Sequence, residues 1–219
     1  MIRASLNLPV NNPIWGYFMD YPAHILNFHS IGEDVHIYAL AKIVMSEAIS
    51  IGDSVQIDDF TFIVGGLKTE IGSFVHIASY ASVTGGGEFM MEDFSALSSG
   101  VRIFTGNEDY SGATMTNPTV PPRYRQPMRG WVRIEKHAVV GANAVIMPGV
   151  VIGEGAVIAP NSVVTQSCAP WRLYSGNPVR PVMPRESSTI LALEKQLKSE
   201  LYTVDGYYIP HSQRLTIGE

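Results

Sequence analysis

The feature that most restricts this chain is a six-residue recurrence of large aliphatic side chains. They stand at Ile31, Ile37 and Ile43, at Ile51, Ile57 and Ile63, at Ile71, Ile77 and Val83, and at Met91, Leu97 and Ile103. Each triplet restarts twenty residues after the one before it. After a break the series resumes at Ile134, Val140, Ile146, Ile152, Ile158 and Val164, now six apart throughout. A period of six fits neither the 3.6-residue α-helix nor the 3.5-residue coiled coil, so amphipathic helices are rejected here. A fixed period sustained over so many residues marks a solenoid. The pattern predicts an all-β, parallel β-helix of about six triangular coils, each made of three short strands.

A second column supports the first. Four residues after the aliphatic positions come small or β-branched side chains: Val35, Ala41, Val55, Thr61, Val75, Ala81, Ala138, Ala144, Ala156 and Ser162. Both columns are expected to point inward, the large residue on a flat face and the small one near a turn. Gly32, Gly52, Gly72 and Gly153 follow aliphatic positions, where a tight corner favours glycine. Stacked coils repeat at ~4.8 Å, so each coil satisfies the backbone of its neighbours.

With 46% hydrophobic residues among 219, the chain can fill one continuous core. A net charge of −5 provides no general basic field, which argues against nucleic acid as a ligand and leaves any anionic cofactor to a few local cations. The single Cys168 excludes an internal disulfide, fits a reducing compartment and is expected to be buried and free. Met1 to Pro13 lacks a basic stretch followed by an apolar one, and no apolar run nears the ~20 residues that span a bilayer. A cytoplasmic protein without a membrane span is the expectation.

Three parts follow from the repeat. Residues 1–30, with Trp15, Tyr17, Phe18 and Tyr21, are expected to cap the first coil. Residues 31–183 form the β-helix, interrupted at 104–133 by a proline-rich excursion without repeat signal, a length that in a compact domain points to function. Residues 184–219 hold Ile190, Leu193, Leu197 and Leu201 at helical spacing, opened by Ser187 and Ser188 and carrying Glu194 and Lys198 four apart. That helix is expected to serve as a cap or a subunit contact, and the tail after it carries no signal.

From Val140 to Gly153 the chain reads V-G-A-N-A-V-I-M-P-G-V-V-I-G, and Ser175-Gly-Asn-Pro-Val-Arg180 follows. These stretches, with one long loop, resemble the hexapeptide-repeat acetyltransferases of the galactoside, maltose and xenobiotic group over residues 30–185. The resemblance implies a left-handed coil, which spacing alone does not give and which runs against the usual crossover rule. It also implies a homotrimer that binds acetyl-coenzyme A in grooves between subunits. Position by position, it implies that Gly141 and Ala142 offer backbone groups to the pantetheine arm, that Pro160 and Thr165 border it, and that Arg180 reaches the nucleotide phosphates. Two positions depart from the group: Gln166 stands where lysine is frequent, and Val139 where a coenzyme-contacting tryptophan is.

A further departure concerns the proton. Acetyl transfer to a sugar hydroxyl needs a base, and the galactoside group supplies a histidine in a Thr-Gly-His sequence at the start of its loop. Here that place reads Thr105-Gly106-Asn107-Glu108-Asp109-Tyr110, and asparagine is no base. Either another residue serves or the acceptor is an amine. Glu108 or Asp109 serves if burial raises its pKa. His76, outward-facing one position before Ile77, is the other candidate, and its bland counterpart is His36 in the same column. Tyr80 aligns with an acceptor-binding asparagine of the group, and Asn107 and Tyr110 are placed with it as acceptor-binding residues. The loop sequence also resembles sugar acetyltransferases of bacterial surface-polysaccharide pathways, including some that act on nucleotide-linked amino sugars.

Two rival readings belong to other classes. A zinc hydratase with this fold needs three histidines; His24 and His29 have the five-residue spacing but precede the first coil and have no third partner, so no metal is expected. A non-catalytic trimeric scaffold is favoured by the missing loop histidine and opposed by the closing motif.

Overall fold

The structure is a computed structural model and describes residues 26–214. The chain winds as a left-handed triangular prism with three parallel faces. The first face stacks Ser30–Ile31, Ile49–Ile51, Lys68–Ile71, Glu88–Met91, Trp131–Ile134 and Val150–Ile152. The second stacks His36–Ile37, Gln56–Ile57, His76–Ile77, Ala96–Leu97, Val139–Val140, Val157–Ile158 and Arg172–Gly176, and the last of these turns back antiparallel as Val179–Pro184. The third stacks Lys42–Val44, Phe62–Val64, Ser82–Thr84, Arg102–Phe104, Val145–Ile146 and Val163–Val164. The terminal hairpin covers the open edge of the second face, the usual remedy for unpaired strand groups.

The six-residue series is the core. Ile31, Ile51, Ile71, Met91, Ile134 and Ile152 stand in register on the first face, and the corresponding columns fill the other two. All are buried except Ile31, which sits on the first coil with an open side beneath it and is 42% exposed. A further buried column, Ile49, Thr69, Phe89, Val132 and Val150, lies two positions before the first-face series. It recurs once per coil and not every six residues, which is why a six-residue search passes over it. The two extra residues of the early coils sit at the corner between the third and first faces, as at Gly65 and Gly66, whereas the later coils close there through Pro148 and Gly149.

Positive φ does not explain the glycines after the aliphatic positions. A Cβ on Gly72 would lie 2.6 Å from Asp93 Oδ1, and one on Gly52 2.6 Å from Ser73 Oγ. Side chains of the next coil occupy that space because they accept backbone N–H groups: Asp53 Oδ1 from Glu33, Ser73 Oγ from Asp53, Asp93 Oδ1 from Ser73. Left-handed backbone falls two residues later, in a column between the first and second faces made of Asp34, Ser54, Phe74, Phe94, His137, Gly155 and Trp171. The second-to-third corner has its own column at Phe60, Tyr80, Gly100, Asn143 and Asn161.

The expected helix forms at Ser188–Leu201, but its first amides are taken by the Glu186 carboxylate and not by the Ser187 hydroxyl. It lies along the first corner and not over an end of the prism. Arg185 lies over the Trp171 ring, Glu194 binds Lys136 and His137, and Lys198 lies over Phe94. Beyond the helix, Tyr202 and Tyr208 pack on Phe74, and Tyr208 Oη and the His211 amide both donate to Asp34. The segment is a strap from the last coil to the first, and the tail is part of it. Its contacts run through charged residues, and Leu193 of the apolar stripe is left 59% exposed. The aromatic segment with Trp15, Tyr17, Phe18 and Tyr21 lies outside the described residues.

Candidate functional site

The excursion proper spans 105–130, since Trp131–Ile134 already belongs to the first face. It leaves from the third corner on a short stalk in which Gly106 and Asn107 pair antiparallel with Arg129 and Met128. The stalk is held to the coil beneath it by Arg129, which donates to Gly85 O at 2.7 Å. Asn107 is therefore a stalk residue, and Glu108, Asp109 and Tyr110 come directly after it.

The two loop carboxylates are both engaged. Asp109 accepts from the Ser111 hydroxyl and amide and from the Thr114 amide and hydroxyl, and these bonds, the Ser111 hydroxyl foremost, hold its carboxyl down at about 2. Glu108 takes a hydrogen bond from Arg125 at 3.3 Å, while its Oε2 is buried without a partner among the described residues. Tyr110 is exposed.

His76 lies elsewhere, on the second face, with its ring outward. Its Nε2 is 3.0 Å from Asp58 Oδ2, and the other Asp58 oxygen accepts from Gln56 Nε2 at 2.8 Å. Sequence reading named neither Asp58 nor this pairing. An aspartate two positions beyond the histidine's column on the preceding coil was the available signal, legible only after the coils are aligned.

Tyr80 stands at the second corner in left-handed backbone, stacked on Phe60 with centroids 5.1 Å apart and planes within 9°. Gly141 and Ala142 lie on the same corner two coils further along, and Pro160 one coil beyond them. They are in direct contact: a Cβ on Gly141 would meet Ile158 O at 2.6 Å and Pro160 N at 2.7 Å, and Asn161 N donates to Ala142 O. Arg180 follows on the terminal hairpin, beside the second face, exposed and bonded through Nη1 to its own Val179 carbonyl. These residues make a track parallel to the prism axis. Thr165 is not on it, because the third face separates Thr165 from Pro160.

Within one chain, then, the structure brings Tyr80, Gly141, Ala142 and Pro160 to one corner, with Arg180 near its upper end and His76 just around it. Asn107, Glu108, Asp109 and Tyr110 are at the next corner, across the third face. A groove of about 570 Å³ on the first face, lined by residues such as Ser50, Glu70, Met90 and Lys136, contains none of them. Cys168 is buried, and burial pushes its thiol up to about 11, so it is no nucleophile. Among the described residues no group of three His, Cys, Asp or Glu is placed to hold a metal; His24 lies outside them. No helix among them is long and apolar enough to cross a membrane.

A left-handed prism of hexapeptide repeats, broken once by a loop and closed by a Gly-Asn-Pro-Val-Arg hairpin, defines a class, and residues 132–166 match the family model described as bacterial transferase hexapeptide (six repeats). An aspartate-to-alanine mutant of AntD, an N-acyltransferase from Bacillus cereus solved in complex with dTDP and coenzyme A, is 36% identical, with a TM-score of 0.76 over 84% of this chain and 97% of its own. A second structure of AntD, in complex with dTDP and 3-hydroxybutyryl-CoA, is 38% identical, with a TM-score of 0.74 over 79% of this chain and 92% of its own. The chain belongs to the hexapeptide-repeat acyltransferase family. A dTDP-4-amino-4,6-dideoxy-D-glucose acyltransferase of Escherichia coli is 38% identical over 112 residues, 51% of this chain and 58% of that protein. A probable macrolide acetyltransferase of Lysinibacillus sphaericus is 32% identical over 119 residues, 54% of this chain and 63% of that protein. The chain thus spans less than two thirds of the length of these two relatives.

Proposed function

We propose that this chain transfers an acyl group, acetyl being the simplest, from acyl-coenzyme A to the amino group of a nucleotide-linked amino sugar, as one subunit of a homotrimer. Nucleotide sugars and acyl-coenzyme A are cytoplasmic metabolites, which accords with the free thiol and with a role in making surface polysaccharide precursors. The likeness to AntD, whose structures hold dTDP with coenzyme A or an acyl-coenzyme A, supports this substrate pair.

The choice of amine over hydroxyl rests on one observation, the state of the loop carboxylates. Asparagine has replaced the expected histidine, Asp109 is held at about 2, and Glu108 is tied to Arg125. No strong base stands on the loop, and an amine needs none. Its lone pair attacks the thioester carbonyl carbon; the C–N bond forms, the C–S bond breaks, and the ammonium proton passes to the departing thiolate to give the free coenzyme thiol. The protein's part is positioning, which can supply a large share of the acceleration. The track of Gly141, Ala142 and Pro160 suits an extended pantetheine arm with Arg180 at the diphosphate end.

Two corners carrying one site call for a neighbour. In a threefold assembly the third corner of one subunit meets the second corner of the next, so that loop and track form a single groove.

The His76–Asp58 pair favours a second reading, in which a histidine oriented by a carboxylate deprotonates a sugar hydroxyl. The discriminating measurement is kcat/KM over pH 6–9 with acetyl-coenzyme A and dTDP-4-amino-4,6-dideoxyglucose for His76→Ala, Glu108→Ala and Asp109→Ala. Under the amine reading each variant stays within about tenfold of the wild type. A loss of about 10²–10⁴ in one of them identifies a general base and overturns it.

A further inference from the structure

Both corner columns of left-handed residues are ladders of flat side chains, and one shows what happens at a missing rung. At the first corner Phe74, Phe94 and His137 stack at 4.9 and 5.1 Å, and the next rung is Gly155. The indole of Trp171, one rung further, folds into the gap: a Cβ on Gly155 would lie 2.3 Å from its ring. A glycine rung beside an aromatic one is thus a slot for a planar group.

The second corner repeats the arrangement without the filler. Phe60 and Tyr80 stack, and the next rung is Gly100, again in left-handed backbone at φ +74°. The rung beyond is Asn143, whose short carboxamide leans over Gly100, with Oδ1 2.1 Å from where a Cβ would be. It cannot cover a phenol ring. Tyr80 is 58% exposed although Phe60 covers one of its faces, so the face toward Gly100 is open. No cation lies over it among the described residues. The strap that covers the first corner makes no ring contact with this one, which is uncovered in the single chain.

Two polar groups border the slot. The Asn143 carboxamide, a donor and an acceptor side by side, has no hydrogen-bond partner among the described residues and matches the edge of a pyrimidine imide. Arg102 Nη1 is anchored on the Tyr80 and Gly100 carbonyls and makes no ion pair among the described residues, so its charge is available to a phosphate.

We propose that the slot between Tyr80 and Asn143 is the seat of the acceptor's pyrimidine base, with the diphosphate directed to Arg102. This rests on the reading of the acceptor as a nucleotide-linked sugar. It places the nucleotide on the same corner as the pantetheine track, one coil before it, and makes Tyr80 a binding residue through its ring and not its hydroxyl.

The test is dTDP binding by titration calorimetry to the full chain and to Tyr80→Asn, Tyr80→Phe and Arg102→Met, with coenzyme A as the control ligand and light scattering on each variant. Asparagine suits the corner, since positions 143 and 161 already hold it in left-handed backbone. Tyr80→Asn is expected to weaken dTDP roughly 5- to 150-fold, the effect of losing one stacked base. Tyr80→Phe should stay within about twofold, Arg102→Met should weaken both dTDP and inorganic pyrophosphate, and coenzyme A affinity should hold throughout. Wild-type dTDP binding with an unchanged Tyr80→Asn overturns the seat and leaves the nucleotide reading standing. Coenzyme A binding without dTDP binding in the wild type overturns both. Dissociation of Tyr80→Asn into smaller species makes the ring a subunit contact and also overturns the seat.

Discussion

Single residues in this protein are fixed by what the neighbouring coil presents one layer away. Gly52 and Gly72 are small because Ser73 and Asp93 reach under them to accept amide protons, a reason that no local turn rule contains. Bulky residues such as Phe60, Phe74 and Tyr80 occupy left-handed backbone, which costs each of them roughly 1–2 kcal/mol and is offset by stacking on the same corner of the next coil. Arg180 is the simplest residue to test. Its guanidinium is exposed and bonded within the described chain to its own Val179 carbonyl, so Arg180→Ala should leave the melting temperature unchanged. If it meets the coenzyme diphosphate, the same variant should bind coenzyme A more weakly by about 1.5–3 kcal/mol in calorimetry. Unchanged affinity would remove it from the site. His76 was legible as an outward strand residue, but Asp58 was not legible as its partner, since pairing across coils depends on registers that the residue's own strand does not encode.

At the scale of elements, the C-terminal strap departs most from its sequence pattern. Helical spacing predicts docking through Ile190, Leu193, Leu197 and Leu201, yet the contacts with the first corner run through Glu194 and Lys198 and then Tyr202 and Tyr208. Glu194 is its fastening. Burial opposes the charged carboxylate, but hydrogen bonds from Lys136, Lys198 and His137 outweigh it and hold the group at about 2. A depressed carboxylate contributes stability that is present above its unfolded pKa, near 4.5, and is lost as pH falls toward 2. Glu194→Gln should therefore lower stability on the order of 2 kcal/mol at neutral pH. The gap between variant and wild type in thermal melts should narrow as pH falls from about 4.5 to 2. A gap that stays constant over that range would mean that the carboxylate's charge does not fasten the strap.

For the whole molecule, the telling fact is that the candidate groups divide between two corners with the third face between them. That face and its corners present Leu40, Val44, Met45, Phe60 and Phe62 to solvent in a single chain, an apolar surface suited to a second copy. Light scattering at micromolar concentration should return three times the 23.9 kDa chain mass. Phe62→Glu, at a side chain 40% exposed in the single chain, should reduce that mass and abolish acyl transfer together while circular dichroism keeps its strand signal. A monomer that still turns over acyl-coenzyme A would dismiss the shared site.

The sequence by itself determined the prism. Its three inward aliphatic columns repeat at six residues because each face of a triangular coil places a large side chain inward at the same point of its strand, and that regularity survives in one dimension. It also showed the loop, the closing Gly-Asn-Pro-Val-Arg motif and the absence of a loop histidine. Only the tertiary structure decided which residues share a corner: that Gly141, Ala142 and Pro160 line up with Tyr80, that Thr165 is a face away, and that Gly100 is the rung between Tyr80 and Asn143. The reason is geometric. Residues that meet across coils are sixteen to forty-four positions apart, and the early coils, the loop and the later coils each shift that offset differently. The partners of a corner residue are set by the sum of those shifts, which the chain settles only by folding.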